Sequence, residues 1–206
     1  KPSGAPVLLH TGARKWRQDA HAAVIDIATG SRDLQQCADA VMRLRAEWLW
    51  SIGAKDKIAF DYTGGGRVSY TRFARGERPS ENGKRWSASG RADQRYAGFR
   101  RYMTSVFSYA GTYSLERELK PAADGALPEI GDVVIKGGFP GHAVLVSDMA
   151  ESARTGERRF LLAQLTALHH LHADRARAFE QDPGHRAVAL QLQVGALAQV
   201  RQDVGR

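Results

Sequence analysis

The chain has 206 residues, 43% of them hydrophobic and 25% charged, which leaves room for one large globular domain and an appendage. No stretch approaches the roughly 18 apolar residues of a membrane span. A lone cysteine, Cys37, excludes a disulfide framework and any multi-cysteine zinc site. The net charge of +8 is concentrated between Arg67 and Arg101, where ten Lys and Arg stand against three acids. Such a strip points to an anionic partner or to a solvated face. The opening KPSGAPVLLH lacks both an initiator Met and the pattern of a signal peptide, and reads as the start of a processed or truncated chain.

In chain order, HAAVIDI from His21 to Ile27 reads as a strand ending at Thr29-Gly30. RDLQQCADAVMRLRAEWLW carries Leu34, Cys37, Val41, Leu44, Trp48 and Leu49 at spacings of three and four. That predicts an amphipathic helix, capped by Ser31 or Asp33 and closed near Gly53, with Trp48 in the core. KIAFDYT and RVSYTRF are expected as a hairpin around Gly64 to Gly66, and GERPSENGKRWSASGRAD as a basic loop. A helical pattern runs from Asp93 to about Leu119, divided at Gly111. DVVIK, HAVLVSDMA and RRFLLAQ are then expected as three strands. Residues 165–206 contain no Lys, Ile, Met, Trp, Tyr, Asn, Ser or Cys but eight alanines and four of the seven histidines. This tail is rich in helix formers without a sustained apolar stripe, so it is set apart from the domain. Docked helices are its expected form, with Leu190, Leu192 and Leu197 as their buried residues.

Three positions can be assembled into a chemical site. Cys37 falls near the start of its helix, where unsatisfied amides and the helix dipole favour an anion and lower a thiol pKa. His142 comes after the turn GGFPG and opens a strand, and Gln164 closes the next one. A turn centred at Ala153 sets His142 and Gln164 opposite each other, on one face if the pairing has no bulge. A thiolate nucleophile, an imidazole base and an orienting amide are what cysteine acyl transfer needs. Gln36 or Gln35 can assist the Cys37 amide as oxyanion donors, although both also suit a plain helix start. Against this stands the reading of Cys37 as a small core residue and His142 as a turn residue.

The strings RDLQQCADAVMRLRAEWLW, FRRYMTSVFSYAGTYSLERELK and GDVVIKGGFPGHAVLVSDMAE with GERRFLLAQ resemble the bacterial domain-of-unknown-function 4846 family, from about Pro6 to Gln164. The order of Cys-helix, GD strand and GH strand also resembles, remotely, the papain-like superfamily with its NlpC-type and CHAP amidases. The residues beyond Gln164 do not match the first family. The resemblance implies an α+β fold of papain-like type over residues 1–164, with a Cys-bearing helix packed on an antiparallel sheet and a weakly specified tail over 165–206. It also implies a peptidase or amidase with Cys37 as nucleophile and His142 as base. The substrate would be peptide or peptidoglycan-like, and the location the bacterial envelope.

The alternative function is a non-catalytic envelope or polyanion-binding module using the basic strip, with Arg75, Arg78 and Arg85 as the contacts. Those arginines are expected to matter little for folding. Nucleic acid is not the expected partner, because no DNA- or RNA-reading motif accompanies the charge. No cofactor is expected. His169, His170 and His172 lack a fourth ligand at a useful spacing, so no metal is expected either. Gly64 to Gly66 lacks the ending of a phosphate loop, and Asp132 is expected to make a turn.

Overall fold

The computed structural model describes residues 4–8, 12–16, 18–19, 21–28, 34–123, 126–165 and 190–195. In chain order the elements are β1 (Ala23–Val24), α1 (Cys37–Ser51), a 3-10 turn (Lys55–Lys57), β2 (Ala59–Asp61), β3 (Arg67–Ser69) and α2 (Tyr70–Ala74). They continue with β4 (Arg78–Pro79), β5 (Trp86–Ser87), α3 (Tyr96–Tyr109), α4 (Thr112–Glu118), β6 (Val133–Lys136), β7 (His142–Glu151), β8 (Arg158–Leu165) and β9 (Leu190–Gly195). Five strands pair antiparallel in the order β1-β9-β8-β7-β6. The fold is α+β, as expected. Among the described residues no helix is long and apolar enough to cross a membrane.

Helix α1 begins at Cys37, later than its apolar spacing predicts, and its N-cap is Gln36. The start is held from within: the Gln36 backbone N–H donates to Asp39 Oδ2 at 2.8 Å, half of the reciprocal arrangement that satisfies first-turn amides. Ser31 and Asp33, the expected caps, lie outside the described residues. The helix ends as expected, with Gly53 at φ +77° just past the last turn and donating to Trp50 O.

Ala38, Val41, Met42, Ala46 and Leu49 bury one face of α1 against α3, β2, β3 and Ala143 of β7. Ala40 meets Ala163 of β8. Trp48 does not join this core. It is 51% exposed and lies beneath the Arg45 guanidinium, 4.6 Å away, because the small residues Ala38, Ala40 and Ala46 are the ones that let the helix approach the sheet. Trp50 takes the core role instead, against Phe99 (4.8 Å), Tyr70 (5.4 Å) and Tyr96 (6.0 Å). Rings at these distances add about 0.5–1.5 kcal/mol per pair beyond area burial.

The helical pattern after Asp93 divides at Gly111 as predicted, and Phe99, Tyr102, Met103, Val106 and Phe107 are its buried face. The first predicted strand shrinks to Ala23–Val24, and RVSYTRF turns from strand into helix at Tyr70. The basic loop contains a short hairpin, Arg78 and Pro79 facing Ser87 and Trp86. It docks on the triple glycine: the Gly66 N–H donates to Asn82 O at 3.0 Å, and a Cβ on Gly66 would stand 2.1 Å from the Gly83 carbonyl carbon. Leu190–Gly195 forms a strand rather than a helix and lies between β8 and β1. Leu197 lies outside the described residues.

Candidate functional site

The site is built where β7 and β8 part. Their ladder runs from Glu151↔Arg158 to Leu145↔Ala163, with a register shift between Val146 and Asp148. Ala143 and His142 lie beyond it, paired on their other side with Ile135 and Lys136 of β6. The Ala143 amide thus sits at the mouth of a split between two strands, and the Cys37 thiol accepts a hydrogen bond from it. The amides of Ala38 and Cys37 itself also point at the sulfur. The first residue of α1 thus lies by the backbone of Ala143, the residue after His142 in the chain.

His142 Nε2 lies 2.9 Å from Gln164 Oε1. An N–H donated to that amide oxygen puts the ring proton on Nε2 and makes Nδ1 the basic nitrogen of the neutral imidazole. Gln164 is buried at 8% exposure, so the ring's partner is held in a fixed place.

The pairing that brings these two side chains together differs from the expected one. The hairpin turns between Ser152 and Glu157, farther along than Ala153, and this displacement alone would send Gln164 to the other face of the sheet. The bulge at Ser147 adds one residue to β7 and reverses the parity again. Gln164 therefore falls on the face of His142 and Val144, diagonal to the histidine, within reach of a long side chain. Ser147 Oγ secures the bulge by donating to Leu161 O at 2.8 Å.

The loop before His142 is anchored to α4. The Gly137 N–H donates to Glu116 at 2.7 Å, and Thr112 Oγ1 donates to Gly138 O at 3.0 Å. A Cβ on Gly141 would stand 2.1 Å from Thr112 Oγ1 and 2.7 Å from Lys136 O, so only glycine fits beside this contact. Phe139, 80% exposed, stacks on Tyr113 at 5.8 Å and forms an apolar shelf two residues before Gly141.

Electrostatics oppose one expectation. Burial pushes the Cys37 thiol up, outweighing the three backbone amides, and the nearby Asp39 carboxylate adds to the rise when ionised. The helix start was expected to lower this pKa; desolvation wins because the sulfur is packed against β7 rather than open to water. Asp39 is itself a group that sequence reasoning missed. Its side chain is buried, its Oδ1 has no hydrogen-bond partner among the described residues, and burial drives its pKa up to about 8. Near neutrality it is largely protonated, which removes a negative charge from beside the thiol. The signal was an acid three residues after the helix cap, a pattern that marks capping but not burial.

The two glutamines ahead of Cys37 diverge. Gln36 is exposed at the cap. Gln35 is buried, and its Oε1 accepts from Arg43 Nη1 at 3.3 Å. Arg43, only 1% exposed, also donates to Glu47 Oε1 at 2.7 Å and Ala28 O at 3.2 Å, fixing the segment ahead of the helix. Asp132 makes its expected turn, accepting from Glu129 N–H at 2.9 Å. His169, His170 and His172 lie outside the described residues.

Half of the ten basic residues of the strip are in ion pairs among the described residues. Arg72 and Arg75 pair with Glu77, Arg67 with Asp61 and Glu118, and Arg95 and Arg101 with Asp93. Arg78 donates to the carbonyls of Phe73, Glu77 and Arg91. It holds a loop, and its positive charge alone would have misled.

The model of the domain of unknown function 4846 matches residues 1–167. The chain belongs to that family. The match covers both the Cys37 helix and the His142–Gln164 hairpin of this family member, and ends before β9. No curated protein and no solved structure matches the chain.

Proposed function

We propose that this family member is a cysteine hydrolase of papain-like arrangement, acting on an amide bond of a peptide or peptidoglycan-like substrate. The observation that carries the reading is the His142–Gln164 hydrogen bond of 2.9 Å beside a thiol bonded to the Ala143 amide. His142 and Gln164 are hydrogen-bonded to each other, and the Cys37 thiol lies by the backbone amide of the next residue, Ala143, whose side chain packs with α1.

In this reading His142 Nδ1 takes the Cys37 proton, and Gln164 holds the ring in the tautomer that permits it. The sulfur attacks the carbonyl carbon, and the α1 amides stabilise the oxyanion that forms. Protonated His142 returns its proton to the leaving amine, and water then releases the acid from the thioester. Burial keeps the resting thiol protonated, so thiolate formation depends on His142 rather than on the helix start. The Phe139–Tyr113 shelf supports an apolar or ring-bearing group of the substrate.

Hydrolysis of purified bacterial peptidoglycan and of a peptide library by the full chain tests the proposal, with Cys37→Ala and His142→Ala as comparisons. Cleavage lost in both variants is expected. Cleavage that persists in Cys37→Ala would exclude the thiol mechanism. The second reading, a non-catalytic envelope or polyanion-binding module, draws support from the burial of the thiol and from the strip's surplus of arginine. It predicts that no hydrolysis depends on Cys37.

A further inference from the structure

A second concave site lies at the other end of α1. A cavity of about 380 Å³ is lined by Arg78, Arg91, Ala92, Asp93, Arg95 and Arg101. Four guanidinium groups and one carboxylate leave it with a surplus of positive charge. Asp93 is committed: its side chain accepts from Arg95 and Arg101, which hold it well below the usual carboxylate range. It also accepts from the Arg95 backbone N–H at 3.1 Å. The Arg91 guanidinium, by contrast, has no hydrogen-bond, ion-pair or ring partner among the described residues.

The position is separate from Cys37. Tyr96, the first residue of α3, packs on Trp50 near the end of α1, so the cavity lies about 20 Å from the thiol at 1.5 Å per helical residue. Helix α3 starts directly after Arg95, one of the lining residues. The earliest helical bond runs from the Phe99 N–H to Arg95 O, which leaves the amides of Tyr96, Ala97 and Gly98 without helical acceptors. Positive side chains, one of them an uncommitted guanidinium, line one half-open cavity.

We propose that this cavity binds a phosphoryl group of a small phosphorylated molecule, with Arg91 as its principal contact and Arg101 and Arg95, which pair with Asp93, beside it. A dianion answers the surplus charge better than a carboxylate does, and guanidinium forks match phosphate oxygens in pairs. The volume admits one or two phosphoryl groups. The site differs from the trio Arg75, Arg78 and Arg85 expected from the sequence. Arg75 and Arg85 do not line the cavity, and Arg78, which does, is tied to carbonyls.

The test is calorimetric titration of the full chain with inorganic phosphate, glycerol 1-phosphate and acetate at fixed ionic strength. Arg91→Gln, Arg101→Gln and the outside control Arg85→Gln are compared with the parent. The Arg91 side chain has no partner to lose, so its replacement leaves the fold intact, which circular dichroism checks. Saturable binding of both phosphates, weakened about tenfold or more by Arg91→Gln and Arg101→Gln but not by Arg85→Gln, is the expected result. No binding of either phosphate overturns the proposal. So do acetate binding as tight as phosphate, and equal weakening by all three replacements, which would mean diffuse charge attraction. None of these outcomes depends on whether Cys37 is catalytic.

Discussion

Asp39 shows how a single carboxyl can set local conditions while escaping notice in the sequence. Its folded pKa of about 8 exceeds the roughly 3.9 of an unfolded Asp, so the native state holds its proton more tightly. Its contribution is complete below about pH 4 and is lost as pH rises towards 8. Asp39→Asn keeps the oxygen that accepts the Gln36 amide and removes this slope. Urea melts should find the variant more stable than the parent at pH 8, on the order of 1–3 kcal/mol, with a smaller gap at pH 5. An equal loss of stability at both pH values would mean that the carboxylate is ionised and paired. Gln164 offers a second test at this scale. Gln164→Leu removes the oxygen that faces His142 Nε2 and should cost about 1–2 kcal/mol, and it should slow Cys37 alkylation. An unchanged alkylation rate would remove Gln164 from the orienting role.

Among the elements, the helices and the three later strands were legible because their apolar periods are long and their punctuation is plain. Gly53 and Gly111 mark ends where the structure has them. What failed was local. HAAVIDI has the composition of a strand, yet among the described residues its strand is Ala23–Val24, paired with β9. RVSYTRF alternates like a strand until Tyr70, whose burial against Trp50 and Phe99 favours a helical turn. The candidate site was legible as three residues but not as a geometry, because its parity rests on a bulge at Ser147 that no residue type announces. Gly66 illustrates the reverse, a turn glycine whose reason is tertiary. Gly66→Ala forces a Cβ into the Gly83 backbone and should destabilise the domain by about 1–3 kcal/mol in thermal melts. A neutral result would show that the loop docks loosely.

At the scale of the whole molecule, β9 joins β8 to β1 and pairs Gln191 with Gln164. A chain ending at Thr166 exposes the β8 edge next to the candidate site. It should melt at lower temperature, by the equivalent of about 1–3 kcal/mol, and associate at high concentration in sedimentation experiments. Equal melting and a monomeric state would make the residues after Thr166 dispensable for the stability of the domain. The cavity at the start of α3 and the split at the start of α1 lie at opposite ends of one helix, so each can be altered without the other.

The central claim is that His142 draws the proton from Cys37, and it is tested most directly by iodoacetamide alkylation of the full chain across pH, with and without His142→Ala. Because burial pushes the thiol up, the account predicts a reactive limb near neutral pH in the parent that disappears in His142→Ala, leaving a profile that rises only above the roughly 8.5 of a free thiol. Superimposable profiles for the two proteins, or labelling only after denaturation, would contradict it.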